Sequence, residues 1–157
     1  MVLTRYNILI LVAAGGSAAL LLGALAFQYI GGLAPCALCI WQRWPHLVAV
    51  LLGALGLFVG GGRLIPVLGG LAALTSAGIG VFHVGVEQKW WEGLASCSAG
   101  SISGVSTADL LNPAVDVAQV VRCDEIPWQM LGVSMAGWNV LASVALAMIW
   151  FALARRP

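Results

Sequence analysis

The sequence predicts an all-α integral membrane protein, a bundle of four transmembrane helices with a long outer loop. Of its 157 residues, 61% are hydrophobic and only 8% are charged, whereas soluble domains carry about 25% charged residues. The mean hydropathy is +1.00. Seven basic and six acidic residues are too few to cover a soluble surface. The net charge of +1 gives no indication of a nucleic-acid partner.

Long stretches without charge define the individual helices. A helix that crosses the hydrocarbon core of about 30 Å needs about 20 residues. We therefore predict a single membrane domain over 1–157, with spans at about 8–29, 44–61, 65–86 and 133–153. Apolar and polar residues alternate little in these stretches, which disfavours a transmembrane β-barrel. Pro35 fits the first turn of a helix, so the second helix can begin ahead of its span.

The charged residues also predict the orientation. The outer loops lie at about 30–43 and 87–132, and all six acidic residues fall in the second loop. The basic residues divide four against three, a weak bias under the positive-inside rule. Arg5, Arg63, Arg155 and Arg156 lie on one side, and Arg43, Lys89 and Arg122 lie on the other. We therefore expect both termini in the cytosol and both loops outside.

The second outer loop is the only segment that is not strongly apolar. Asn112 and Pro113 form a helix-start signal, and apolar residues follow them at helical spacing. This pattern predicts a short amphipathic helix, lying either on the membrane surface or packed on protein. Five tryptophans near the outer side of the membrane resemble an interfacial aromatic belt: Trp41, Trp44, Trp90, Trp91 and Trp128.

Four cysteines carry the chemistry, two in each outer loop: Cys36, Cys39, Cys97 and Cys123. The C-x-x-C pair allows three interpretations. It is a redox-active dithiol, half of a zinc site that the loop cysteines complete, or a structural disulfide. The zinc site is disfavoured because Cys97 and Cys123 are 26 positions apart. A structural C-x-x-C disulfide closes a very short loop and therefore adds little to the stability of the fold, so the spacing favours the redox dithiol.

Cys97 and Cys123 are spaced for a loop disulfide. In the chain-entropy model, such a closure stabilises the fold by roughly 3.5 kcal/mol. The same bond is equally suited to exchange, because Gly, Ser and Thr dominate the flanking segment 98–107. A flexible flank would give an outside thiolate access to the Cys97 sulfur, as exchange requires.

Arg43 follows Cys39 by four positions, so on a helix the two residues share one face. A guanidinium there would stabilise a thiolate at Cys39 or an anion bound beside it. Arg43 is equally placed to extend toward lipid headgroups. Position alone leaves both roles open.

The segment 36–43, Cys-Ala-Leu-Cys-Ile-Trp-Gln-Arg, resembles the C-x-x-C-I-x-Q-R motif of the bacterial disulfide bond formation protein B (DsbB) family. Pro127-Trp128, Leu131-Gly132 and Trp138 are similar to that family as well. The resemblance covers about 5–155, although the middle of the second loop, 98–121, aligns with nothing in the family.

The resemblance implies a thiol:quinone oxidoreductase of the bacterial inner membrane, with both termini cytoplasmic and the cysteine loops periplasmic. Such a protein reoxidises a DsbA-like dithiol oxidase and passes two electrons to a membrane quinone, either ubiquinone or menaquinone. A disulfide and a quinone each exchange two electrons, so no radical cofactor or metal is required. The bilayer supplies the quinone and surrounds the protein.

The resemblance also implies a role for each site residue. Cys97 would be attacked by the partner's thiolate, and Cys123, its resolving mate, would exchange with Cys36. Cys39 would face the quinone, assisted by Arg43. His83 lies where the family often has a polar residue near the quinone, although a lone histidine at a helix end is more often only hydrogen-bonded.

Three other classes of protein share some of these features. A vitamin K epoxide reductase-type oxidoreductase also has four core helices and two cysteine pairs, but its loop pair precedes the C-x-x-C, whereas here it follows. A structural tetraspan protein would hold two inert disulfides that resist mild thiols. A metal-binding membrane protein would contain stoichiometric zinc.

Overall fold

The computed structural model describes residues 4–60, 62–98 and 121–155. Four of its helices are long and apolar enough to cross a membrane, which confirms the predicted fold class. The elements are α1 (Arg5–Tyr29), α2 (Ala37–Val59), α3 (Leu64–Glu87), a short α4 (Ala95–Ser98), β1 (Gln129–Met130), β2 (Val133–Ser134) and α5 (Met135–Ala154).

The long helices pack as a closed ring in which α1 contacts α2, α2 contacts α3, α3 contacts α5, and α5 returns to α1. The largest fully buried side chain among the described residues is Trp150, which packs in a core cluster with Ile10 and Ala73. Gly69 lies directly against the Trp150 ring, where a β-carbon would overlap it. Small residues of this kind let membrane helices approach closely.

Helix α2 begins at Ala37, beside Pro35 as the helix-start signal predicted, and seven residues before the apolar span at 44. The prediction placed the boundary at Arg43 because that residue carries a charge. Cys36 is the N-cap of α2, and its sulfur accepts the backbone N–H of Cys39 at 3.3 Å. Cys39 and Arg43 therefore lie in the first two turns of α2.

A small hairpin that the sequence reasoning missed leads into α5. Strands β1 and β2 are antiparallel and two residues long. Leu131 and Gly132 join them with φ angles of 53° and 76°, as a type I′ turn requires. The hairpin delivers Ser134 as the N-cap of α5. The amphipathic helix predicted after Asn112 lies outside the described residues.

Candidate active site

Both cysteine pairs lie at the same end of the bundle. Cys97 and Cys123 form a disulfide, with their α-carbons 5.0 Å apart. Cys36 and Cys39 are free thiols whose sulfurs lie 2.9 Å apart. Cys36, Cys97 and Cys123 are all buried and belong to one packed cluster with Leu38 and Val86. The fold therefore brings the two pairs together at one end of the bundle.

Cys36 is the better stabilised thiolate of the inner pair. Its sulfur accepts the Cys39 backbone N–H at the start of α2 and lies 3.6 Å from His83 Nε2. Hydrogen bonding from the Cys39 thiol, reinforced by His83 and opposed by burial, lowers the pKa of Cys36 to about 4. In the dithiol form, the negative charge therefore resides on Cys36 and the Cys39 thiol donates to it.

His83 and Glu87 occupy the last turn of α3, one helical turn apart, and both are buried. Glu87 Oε1 lies 3.9 Å from His83 Nε2. The Ser134 hydroxyl donates to Glu87 Oε2 at 2.5 Å. The sequence reasoning treated Glu87 only as the end of a span. The available signal was an acidic residue four positions after a histidine, at the end of an apolar stretch.

A hydrogen-bonded network of polar side chains extends from His83 into the bundle, and the sequence reasoning also missed it. Gln42 contacts His83 and Asn139, and Asn139 contacts His46. Polar residues inside apolar spans are costly and mark functional sites, which is the signal that could have found them. The remaining members are Ser17, Ser76 and Ser143.

A cavity of about 290 Å³ lies beside the inner cysteine pair, between α1, α2, α3 and α5. Its walls are mainly apolar, and Cys36, Cys39, Arg43 and His83 all line it. The structure thus brings four predicted site residues to one cavity. Cys97 and Cys123 are not among its lining residues and pack behind Cys36.

Arg43 is held at this cavity by α1. Its Nη1 donates to Gln28 Oε1 at 2.6 Å. Its Nε is buried and has no hydrogen-bond partner among the described residues. A buried donor left unpaired costs about 1–3 kcal/mol, so an acceptor bound in the cavity would satisfy this group.

Four apolar helices that carry two cysteine pairs at one end define a membrane thiol oxidoreductase. The model of the family described as Disulfide bond formation protein DsbB matches residues 6–153. The chain belongs to this family. It is therefore a multi-pass inner-membrane protein and a disulfide-generating oxidoreductase.

Curated relatives named Disulfide bond formation protein B are similar to nearly the whole chain. The protein from Pasteurella multocida is 34% identical, over 89% of this chain and 84% of the relative. Those from Polaromonas sp. and Azoarcus sp. are 32% and 31% identical, each over 88% of this chain and over 84% and 87% of the relatives. No solved structure matches the chain significantly.

Proposed function

We propose that the protein takes electron pairs from a reduced DsbA-like oxidase and delivers them, through its two cysteine pairs, to a membrane quinone. One observation carries this proposal: the inner pair lines a membrane cavity while its buried N-terminal cysteine packs against the outer disulfide. Electrons that enter at the outer pair then have a short covalent route to the cavity.

The relay consists of successive thiol–disulfide exchanges. The partner's thiolate attacks Cys97, and Cys123 leaves as a thiolate. Cys123 then attacks Cys36 of an oxidised inner pair and releases Cys39. The partner's second thiol displaces Cys97 and completes the partner's disulfide. Cys97 finally attacks the Cys36–Cys123 bond, which restores the outer disulfide and leaves Cys36 and Cys39 reduced, the bond pattern seen in the structure.

The residues at the inner pair favour these steps. While Cys36 is bonded to Cys123, it can no longer hold the Cys39 thiol as a hydrogen-bond donor. The Arg43 guanidinium, one helical turn along, then stabilises a thiolate at Cys39. His83 offers a hydrogen-bond partner to Cys36 when that sulfur leaves as a thiolate. Oxidation of Cys36 and Cys39 to their disulfide then releases two electrons and two protons into the cavity.

The cavity fits a quinone ring. When bound, a quinone supplies a two-electron, two-proton acceptor, and either ubiquinone or menaquinone meets this requirement. The volume of about 290 Å³ lies at the lower limit of the range for small-ligand sites, about 300 Å³, which suits a ring headgroup. The unpartnered Nε of Arg43 is a donor for a quinone oxygen. The apolar side chains of α1, including Leu20 and Phe27, line the same cavity.

The test is quinone reduction by the purified protein, with a reduced DsbA-like oxidase as donor. Cys39→Ser and Cys97→Ser should each reduce turnover to background, because each breaks one half of the relay. Arg43→Gln should raise the quinone KM about tenfold or more, since a hydrogen bond from a charged donor contributes about 1.5–3 kcal/mol. Arg63→Gln is the matched control, because Arg63 is exposed at the opposite end of the bundle.

Two outcomes would overturn the proposal. One is no turnover with any donor or quinone while both cysteine pairs resist a mild thiol, which would indicate the structural tetraspan class. The other is full turnover in Cys39→Ser, which would remove the inner pair from the electron path.

A further inference from the structure

The Gln42 side chain reaches from α2 to His83 on α3. Its Nε2 lies 3.1 Å from the Leu38 carbonyl oxygen and 3.0 Å from His83 Nδ1. A carbonyl oxygen can only accept, so the Gln42 atom that faces it must be the amide nitrogen. That nitrogen has two hydrogens and no lone pair to offer, so it also donates to His83 Nδ1.

A second set of contacts fixes the same orientation. The Ser76 hydroxyl donates to the Gln42 backbone carbonyl at 3.0 Å, so its oxygen is left to accept. Asn139 Nδ2 donates to this oxygen at 3.1 Å and to Gln42 Oε1 at 2.8 Å. The amide oxygen of Gln42 therefore points to Asn139, and its nitrogen points to His83.

The tautomer of His83 follows from these contacts. Because Nδ1 accepts from Gln42, neutral His83 carries its proton on Nε2. Two groups face Nε2 and can accept its proton in a hydrogen bond: Cys36 Sγ at 3.6 Å and Glu87 Oε1 at 3.9 Å. The Nε2–H thus points at the sulfur that takes part in exchange.

We infer that Gln42 is a positioning residue that locks His83 as the Nε2–H tautomer, so that the ring donates to Cys36 and withholds its lone pair from metal ions. The catalytic value of this lock rests on the proposed function, because a donor at Cys36 favours that sulfur as a leaving thiolate. The tautomer of His83 itself depends only on the hydrogen bonds of the buried network.

The lock also explains how a reduced dithiol can stay free of metal. The ligand atoms of Cys36, Cys39 and His83 all lie within 4.8 Å of one another, close enough to share one ion. A histidine ligand needs an unprotonated nitrogen toward the metal, and its other N–H usually donates to a carboxylate or carbonyl group. Gln42 presents a donor where such a ligand needs an acceptor.

Gln42→Glu provides the sharpest test, because it replaces the amide donor with an acceptor of the same shape. We expect ¹⁵N NMR of the reduced protein, recorded at a pH at which the imidazole is neutral, to show His83 protonated at Nε2 in the wild type and at Nδ1 in Gln42→Glu. The chain has only two histidines, so His83→Asn assigns the signals. Wild-type protein with the proton on Nδ1 would overturn the inference.

Zinc titration of the reduced protein gives an independent readout. Gln42→Glu should bind Zn²⁺ about 10–100-fold more tightly than the wild type, the range that such supporting partners control. Gln88→Glu is the matched control, because it adds the same charge at an exposed position just beyond Glu87 and should leave the affinity unchanged. Equal zinc affinity in the wild type and Gln42→Glu would contradict the lock.

Gln42→Met covers the case in which a buried carboxylate prevents folding. It removes the donor without adding charge, and we expect Nδ1 to become partly protonated. An unchanged NMR pattern in this variant would also overturn the inference. Neither readout needs a quinone or a partner oxidase, so failure of the relay and failure of the lock are separate results.

Discussion

At the scale of single residues, Cys36 and Cys39 differ more than their spacing suggests. Cys36 caps α2, accepts the Cys39 N–H and faces His83. Cys39 lies inside the helix, beside the cavity. This difference supports the proposed relay, in which Cys36 exchanges with the outer pair and Cys39 faces the electron acceptor.

This asymmetry predicts the pH dependence of the reduced inner pair. In Cys97→Ser/Cys123→Ser, thiolate absorbance in the ultraviolet should titrate near the pKa of about 4 expected for Cys36, far below about 8.5 for an ordinary thiol. The thiolate is present above this midpoint and lost as the pH falls through it. Ionised Cys36 therefore stabilises the folded dithiol protein above about pH 8.5, and this contribution disappears by about pH 4.

His83→Ala is the companion variant, and it should raise the midpoint because it removes one donor. A single midpoint at the ordinary value in the parent variant would contradict the asymmetry between the two thiols.

At the scale of elements, Ser134 joins the end of α3 to the start of α5. Its Oγ accepts the Gly137 N–H at 3.2 Å as a helix cap and donates to the buried Glu87. The β1–β2 hairpin places this serine immediately before Met135. One hydroxyl therefore satisfies a helix terminus and a carboxyl group of the candidate active site.

Ser134→Ala should destabilise the protein more than loss of an ordinary cap. Losing a cap costs about 1 kcal/mol, and a buried polar group left without its partner adds about 1–3 kcal/mol. Thr4→Ala is the matched control, because Thr4 caps α1 through the Asn7 N–H but is exposed. Unfolding in mixed micelles measures both free energies, and equal losses would show that the contact with Glu87 contributes nothing.

At the scale of the whole molecule, the sequence was enough to predict the bundle and the placement of the cysteines in the two outer loops, but not their pairing or the buried network. Stretches without charge locate the membrane spans however the helices pack. The spacing of four residues between Cys39 and Arg43 places these two side chains on the same face of a helix. Gln42 and Asn139 are 97 positions apart. Their contact depends on which helices are neighbours and how each is rotated, and spans that are apolar all round contain little information about either.

The same packing predicts how the molecule lies in the membrane. Tyr6 donates to the Gly60 carbonyl oxygen at 3.3 Å, so the start of α1 and the end of α2 meet at one end of the bundle. Arg5, Arg63 and Arg155 lie at that end, and we expect it to be cytoplasmic under the positive-inside rule. An alkaline phosphatase fused after Pro157 should be inactive, and one inserted within 99–120 should be active. An active C-terminal fusion would contradict this orientation.

The burial of the outer disulfide has a consequence for the choice of reductant. Cys97 is 2% exposed and Cys123 is fully buried, whereas exchange requires access to the attacked sulfur. We therefore expect small thiols to reduce this disulfide slowly, and a protein donor to reach Cys97 through contacts that it makes around the short helix α4. The burial of the outer disulfide therefore favours exchange with a protein that has a complementary surface over exchange with small thiols.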